Sequence, residues 1–374
     1  MPAPIPTALA LVAELTHRCP LHCVYCSNPL ELSRRDTELS TETWTSVFKE
    51  AAAIGVLQTD LTGGEPLART DLAEIIRGAR AAGLYASLIT SGMPLDERRL
   101  EELVSAGLDH LQLSFQGAQG DSSTEFGGAR TGTFEQKLRV ARWVKKHRIG
   151  FTLNFVIHRE NLDQLESMIA LTEEIGPGRV EFAHVQYYGW AFSNRDRLLP
   201  SRAQLDQSLE TLKRAQERLQ GQIRVEYVVP DYYAKYPKPC MGGWGRKVIL
   251  VTPGGDALPC HAARVIPGLT FDNVRTRSLR EIWQESEAFR KYRGEDWMLD
   301  PCKSCDRRAV DFGGCRCQAF LLAGRAEAAD PVCSLSAERP LVDSIVSAAN
   351  EPDAVGVESC AGVQPSWAYR TNPA

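Results

Sequence analysis

The sequence predicts an α/β protein: a partial (β/α)6 TIM-like barrel of parallel strands, followed by a loop-rich C-terminal domain. Apolar runs of strand length alternate with stretches of helical periodicity from Ala8 to Gln186. Three of the helical stretches close on glycine, at Gly55, Gly83 and Gly107. Beyond Cys240 the texture changes to Gly, Pro and Cys, and seven of the eleven cysteines lie between Cys240 and Cys333.

The run Ala8 to Thr16 is almost wholly apolar, as a strand buried on both faces requires, and it leads into Cys19, Cys23 and Cys26. Ser40-Thr41-Glu42 predicts a capped helix to about Ile54. A strand over Leu57 to Leu61 enters the turn Thr62-Gly63-Gly64-Glu65-Pro66, and a helix over Asp71 to Ala82 follows. The alternation continues with strands over Tyr85 to Thr90, His110 to Phe115, Gly150 to Ile157 and Arg179 to Gln186. The helices between and around them cover Asp96 to Ala106, Thr133 to His147 and Asn161 to Ile175. Parallel α/β sheets bind ligands at the C-terminal ends of their strands, which is where the polar motifs of this chain fall. Ser201 to Leu219 reads as a charged helix and Ile223 to Val229 as a short strand leading out of the barrel. A helix is expected over Ser278 to Tyr292 and a short one after Arg339. The predicted organisation is a barrel over 1–222, a cysteine-rich domain over 223–345 and a flexible tail over 346–374, in which Cys360 is a free thiol without assigned role.

A net charge of -4 and a pI near 6.0 exclude a protein that works chiefly on nucleic acid, since phosphate binding needs a basic surface. No apolar run is long enough to span a membrane, and Met1 to Pro6 lacks the regions of a signal peptide, so a cytoplasmic protein is expected. Cysteines in such a chain bind metal or stay reduced. Their distribution points to two metal regions, because none occurs between Cys26 and Cys240.

Three thiolates on one short loop can hold three irons of a cubane cluster and leave the fourth iron open to a ligand that is not protein. A zinc site or a set of buried thiols would use the same residues. In the next loop, Gly63 and Gly64 permit a turn that exposes backbone polar groups, and Glu65 offers a carboxylate to a cationic amine. Either motif alone is ambiguous; a tight turn with a chance glutamate accounts for the second.

Together, Cys19-x3-Cys23-x2-Cys26 with Tyr25 before the last cysteine, and Gly63-Gly64-Glu65-Pro66 at the next strand end, resemble the radical S-adenosylmethionine enzymes. The resemblance covers about residues 8 to 190. It implies a [4Fe-4S] cluster on the three cysteines whose free iron is chelated by S-adenosylmethionine, with the Gly63 to Glu65 loop holding the amino group. Reductive cleavage would yield methionine and a 5'-deoxyadenosyl radical. Ser91 in the Thr90-Ser91-Gly92 turn, Ser114, Gln116 and Asn154 lie at further strand ends, where ligand contact and simple strand-end capping are both open. Gln186, Tyr187 and Tyr188 are candidates for the substrate or adenine pocket, with aromatic packing against the second domain as the alternative. His17, His22 and His261 are read as mainly structural.

The second region, Cys240-x19-Cys260, then Cys302-x2-Cys305-x5-Asp311-x3-Cys315-x-Cys317, then Cys333, resembles the iron-sulfur SPASM extension of peptide-modifying radical enzymes. The family's third core cysteine is Asp311 here: as a harder ligand it should weaken iron affinity or alter the reduction potential, or else the cluster keeps an open iron, and a solvated aspartate unrelated to the metal is the alternative. The resemblance implies two interleaved auxiliary iron-sulfur clusters, one on Cys302, Cys305, Asp311 and Cys333, the other on Cys240, Cys260, Cys315 and Cys317. The first is expected to be [4Fe-4S]; the close Cys315-x-Cys317 pair leaves the second as [2Fe-2S] or [4Fe-4S]. Zinc on Cys302-x2-Cys305 remains open.

Within that group, Ala13 to Leu21, Gln186 to Ala191 and the aspartate in the cysteine register resemble members that join a glutamate to a tyrosine of a precursor peptide by a carbon-carbon bond. The auxiliary clusters would accept the electron released on rearomatisation. Thioether formation, formylglycine generation and, in another class, non-enzymatic electron transfer stay open. The partners implied are the precursor peptide, a separate small peptide chaperone, expected because few residues precede the first strand, and a flavodoxin-like reductant.

Overall fold

The structure is a computed structural model that describes residues 5–351 and 367–373. Cys360 lies outside them. The alternation read from the sequence builds one twisted sheet of nine strands, ordered β7-β6-β5-β4-β3-β2-β1-β8-β9, in which every pairing is parallel except the last. Its core units are β1 (Ala10–Thr16), α1 (Thr41–Ala53), β2 (Gln58–Gly63), α2 (Leu72–Ala81), β3 (Tyr85–Thr90), α3 (Glu97–Ser105) and β4 (His110–Phe115). They continue with α4 (Gly120–Glu125), α5 (Thr133–His147), β5 (Gly150–Ile157), α6 (Leu165–Ile175) and β6 (Arg179–His184). Two short helices, α7 (Gly189–Ser193) and α8 (Arg195–Leu198), precede α9 (Arg202–Leu219) and β7 (Arg224–Val228).

Local chemistry sets the boundaries. Ser40, Asp96 and Ser201 accept hydrogen bonds from backbone amides in the first turns of α1, α3 and α9. Apolar faces of the helices close over the sheet, so that Leu11, Leu61, Leu88, Leu111, Leu153 and Phe182 share one core with Trp44, Ile76, Leu100 and Met168.

Two departures concern the sheet edges. Ile223 to Val229 was expected to lead out of the barrel, but β7 pairs in parallel with β6, from Arg179 opposite Arg224 to Ala183 opposite Val228. A boundary at 222 therefore cuts through the sheet. At the other edge, β8 (Val248–Val251) from the cysteine-rich region pairs in parallel with β1, and β9 (Ala257–Leu258) follows it. Segments this short show no clear period by themselves; β7 is placed by its pairing with β6, and β8 and β9 by burial as well.

The remaining elements are α10 (Leu279–Glu285), α11 (Glu287–Arg290), α12 (Arg308–Asp311), α13 (Arg316–Ala323) and α14 (Arg339–Asn350). The helix expected over Ser278 to Tyr292 is broken at Ser286, which leaves helical dihedrals. Docking of α10 on α1 is direct: the Leu279 amide donates to Glu50 Oε2 at 2.6 Å, and Arg280 donates to the Ala53 carbonyl at 3.1 Å. The segment expected to be a flexible tail from 346 begins as the last turns of α14, and Trp367 to Pro373 lies against the cysteine loop. Among the described residues no helix is long and apolar enough to cross a membrane.

Candidate active site

The loop that follows β1 carries Cys19, Cys23 and Cys26 and is pinned from several sides. The His22 and Val24 amides donate to the Gly127 and Phe126 carbonyls at 2.8 and 3.0 Å, and Asn194 donates to the Val24 carbonyl at 2.7 Å. The Ala191 amide reaches the Cys26 carbonyl at 3.2 Å. That last contact explains the glycine of Gln186 to Ala191: Gly189 has φ +52°, and a Cβ there would overlap the Asn28 carbonyl.

The glycine turn meets the same loop edge to edge. The Gly64 amide donates to the Thr16 carbonyl at 2.6 Å, and the Glu65 amide to the Arg18 carbonyl at 2.7 Å. A Cβ on Gly64 would stand 2.6 Å from the His17 carbonyl oxygen and closer still to that of Arg18, so only glycine permits the approach. The Glu65 side chain is held by the strand ends around it. Its carboxylate is fully buried; Oε1 accepts from Thr90 Oγ1 at 2.6 Å and the Leu67 amide at 3.1 Å, while Oε2 accepts from the Ser91 amide at 2.8 Å and from the Ser91 hydroxyl. Burial pushes its pKa up against these bonds. Glu65 thus ties the second strand end to the third, and the backbone of Gly63 and Gly64 is what faces the ligand space.

That space is a cavity of about 340 Å³ at the C-terminal ends of the strands. Cys19, Cys23, Tyr25, Cys26, Gly63, Gly64, Ser91, Ser114, Gln116, Asn154 and Gln186 all line it. Ser114 and Asn154 stand side by side because β4 and β5 pair in that register. Tyr187 and Tyr188, by contrast, turn away from it. Tyr187 packs on Tyr232, with ring centroids 5.1 Å apart, and the Tyr188 hydroxyl lies 2.9 Å from Cys315 Sγ. These two are the aromatic packing between barrel and extension. A second cavity, about 180 Å³, shares Ser27, Asn28, Thr62 and Gly63 with the first and reaches Cys260 and His261.

The other cysteines converge in two sets. Cys240, Cys260, Cys315 and Cys317 interact directly, Cys240 with Cys260 and Cys315, Cys317 with the same two. Cys302, Cys305, Asp311 and Cys333 line one small pocket. Asp311 is buried there at the end of α12, with Oδ1 accepting from the Gly313 amide at 3.1 Å and Oδ2 facing Arg307 at 3.3 Å. All ten described cysteines are free thiols, and among the described residues no three His, Cys, Asp or Glu side chains are already arranged for a single metal ion. The histidines are held structurally: His17 Nδ1 accepts from the Ser33 amide at 2.8 Å, and His22 Nδ1 donates to the Arg370 carbonyl at 2.7 Å. His261 packs edge-on against Tyr188.

Burial opposes thiolate formation: it pushes Cys19 up to about 12 and Cys23 up to about 11, with neighbouring thiolates adding to the rise. Nearby positive charge opposes it. Lys137, buried beneath the loop, donates to the Ser114 carbonyl and to Gln116 Oε1, both at 2.6 Å; burial brings it down to about 8 while Cys23, Glu65 and Cys19 pull it back. Asp330 is pushed up to about 7 by burial and then by Cys315, whose amide donates to it at 2.7 Å. Lys137, Asp330 and Arg370 were not read from the sequence. A lysine at helical spacing, an aspartate among loops and an arginine near the C-terminus leave no local signal. A ligand set of thiols converging beside a glycine cradle fits an iron-sulfur centre with a small molecule bound next to it.

Comparison with known proteins agrees with this geometry. The Radical SAM superfamily model matches residues 13–172, and a model described as an iron-sulfur cluster-binding domain, SPASM, matches residues 240–306. A PqqA peptide cyclase of Methylobacterium nodulans is 50% identical over 98% of this chain and 94% of its own, and one of Gluconobacter oxydans is 52% identical over 92% and 96%. Among solved structures, Streptococcus suis SuiB bound to S-adenosylmethionine superposes with a TM-score of 0.73 at 18% identity, covering 88% of this chain and 78% of its own. Native anSMEcpe with bound AdoMet and Cp18Cys peptide gives 0.63 at 18%, covering 94% and 99%. The fold and the cysteine sets define a radical S-adenosylmethionine enzyme with a SPASM extension. Such domains imply a [4Fe-4S] cluster with S-adenosylmethionine and auxiliary iron-sulfur clusters. Within that class, the chain belongs to the PqqA peptide cyclase family.

Proposed function

We propose that this enzyme joins a glutamate and a tyrosine side chain of a precursor peptide, PqqA, by a carbon-carbon bond, as a step of pyrroloquinoline quinone biosynthesis. The observation that carries the reading is the single cavity in which Cys19, Cys23 and Cys26 meet Gly63, Gly64 and the polar strand ends. The three thiolates would hold the [4Fe-4S] cluster, and Gly63, Gly64, Ser91, Ser114, Gln116 and Asn154 would bind S-adenosylmethionine, with Glu65 and Tyr25 fixing the walls. When bound, that pair supplies a hydrogen-abstracting 5'-deoxyadenosyl radical. The peptide loses one hydrogen atom from the glutamate side chain, its carbon bonds to the tyrosine ring, and restoring aromaticity releases one proton and one electron. Cys240, Cys260, Cys315 and Cys317 would hold a [2Fe-2S] or [4Fe-4S] auxiliary cluster, and Cys302, Cys305, Asp311 and Cys333 a [4Fe-4S] one, as sites for that electron. The segment Gln186 to Tyr188 supports the connection, since Gln186 lines the first cavity and Tyr188 touches Cys315. On this reading the barrel ends after β7, and a PqqD-like chaperone presents the peptide while a flavodoxin-like protein donates electrons.

Anaerobic turnover with the precursor peptide tests it. The product should be lighter by two hydrogens, with fragmentation placing the join between Glu and Tyr. Cys19→Ala, Cys23→Ala or Cys26→Ala should abolish formation of 5'-deoxyadenosine, whereas Cys302→Ala or Cys333→Ala should spare part of it and stop cross-linking. A product retaining both hydrogens, or a join at another residue pair, would overturn the assignment. Equal cross-linking with and without the small partner would remove the chaperone.

A further inference from the structure

Arg370 lies near the C-terminus, outside both matched family models, yet it lines the three-cysteine cavity while being 1% exposed. The segment that carries it is fastened at several points. Asn372 bonds Cys19 in both directions, accepting from its amide at 3.1 Å and donating to its carbonyl at 2.7 Å. Ala368 does the same with the Asn194 side chain, at 3.0 and 2.7 Å. Trp367 packs edge-on against Phe126, with the Arg197 guanidinium 3.5 Å from its ring centroid. Tyr369 donates to the Glu125 carbonyl at 3.0 Å.

Within this frame the guanidinium is only partly satisfied. Nη1 donates to Asn372 Oδ1 at 2.6 Å and Nη2 to the His17 carbonyl, both neutral acceptors. Nε is buried without a hydrogen-bond partner, and no carboxylate among the described residues forms an ion pair with Arg370. A buried charge without a counter-charge is costly, so a stable fold supplies an anion. Arg370 is the one Arg, Lys, Asp or Glu among the described residues lining that cavity, and the groups it faces are the thiols of Cys26 and its neighbours, which become anionic on holding iron.

We propose that Arg370 is a positioning residue of the three-cysteine centre: the C-terminal segment carries its guanidinium into the cavity as the fixed positive charge opposite the thiolate-bound cluster, and Nε is the donor held for it. The charge stabilises the more negative, reduced state. The inference rests on the proposed radical-generating role of that centre.

The experiment is a redox titration of the anaerobic, iron-loaded protein without S-adenosylmethionine, followed by electron paramagnetic resonance, for the wild type, Arg370→Gln, Arg370→Lys and a chain stopped after residue 366. The wild type settles the underlying reading first: a low-potential signal unresponsive to added S-adenosylmethionine would sink that reading whatever Arg370 does. Given a responsive signal, Arg370→Gln and the shortened chain should lower the equilibrium constant for reduction by about tenfold or more, the scale of one charge-assisted hydrogen bond. Arg370→Lys should recover most of it. Unchanged potentials in the Gln variant and the shortened chain overturn the proposal, as does a change in S-adenosylmethionine affinity alone. If Arg370→Gln fails to retain iron, Arg370→Lys must retain it; loss in both assigns the residue to folding and overturns the proposal.

Discussion

Gly64 and Glu65 are neighbours with opposite fates: one exposes backbone to the cavity and the other buries its carboxylate behind it. The glycine's role follows from distance, since any side chain would enter the His17 and Arg18 carbonyls. Gly64→Ala should cost about 1–3 kcal/mol of stability, the usual penalty of overpacking, and should weaken S-adenosylmethionine binding, measured by denaturant unfolding and equilibrium dialysis. A second residue-scale effect is pH-dependent. His158 is fully buried with neither ring nitrogen hydrogen-bonded, and burial, then the charge of His184, brings it down to about 3. His184 is likewise brought down to about 3, by burial and then Lys238. Above about pH 6.5 both histidines are neutral whether folded or unfolded; below it the unfolded chain takes up protons that the folded one refuses. Stability should therefore fall as pH drops below about 6.5 towards 3. Urea unfolding between about pH 7.5 and 5.5 should show a shallower decline for His158→Phe than for the wild type, and equal slopes would remove His158 from the account.

At the level of elements, the cysteine loop is a short irregular segment made rigid by others: the turn after β2, the Gly127 loop, α7 and the C-terminal segment all bond to it. Asp311 gains its place in the same way. Helix α12 ends at Phe312 in a left-handed conformation, and Gly313 follows, which turns the chain so that Asp311 joins Cys302, Cys305 and Cys333. If Asp311 is a ligand, Asp311→Cys should keep its iron and shift one auxiliary potential, while Asp311→Ala should lose iron from that centre alone. Identical spectra and turnover in both variants would strike it from the ligand set. The register of the cysteines was legible in the sequence because ligand spacing is local; the side from which Asp330 approaches Cys315 was not, because it comes from a loop without period.

For the whole molecule, barrel and extension share a sheet. β8 covers the edge of β1, the strand that leads to the cysteine loop, and α10 clamps α1 through Glu50 and Ala53. Removing the extension would expose an unpaired, apolar edge beside the active site. A chain stopped at residue 236 should consequently elute as aggregate in size-exclusion chromatography and lose cooperative unfolding. A monomer that unfolds cooperatively would show that the barrel stands alone.

By itself the sequence determined the class of protein and the alternation of its sheet. Ligand spacing and strand-helix period are written over a few adjacent residues, so Cys19 to Cys26, Gly63 to Pro66 and the strands β1 to β6 could be read directly. Only the tertiary structure decided that Glu65 faces Ser91, that Tyr188 meets Cys315, that β7 and β8 extend the sheet, and that Arg370 returns to a loop 353 positions away in sequence. Those outcomes depend on which surfaces meet when the chain buries its apolar faces, and contacts between distant segments leave no mark in the spacing of neighbours.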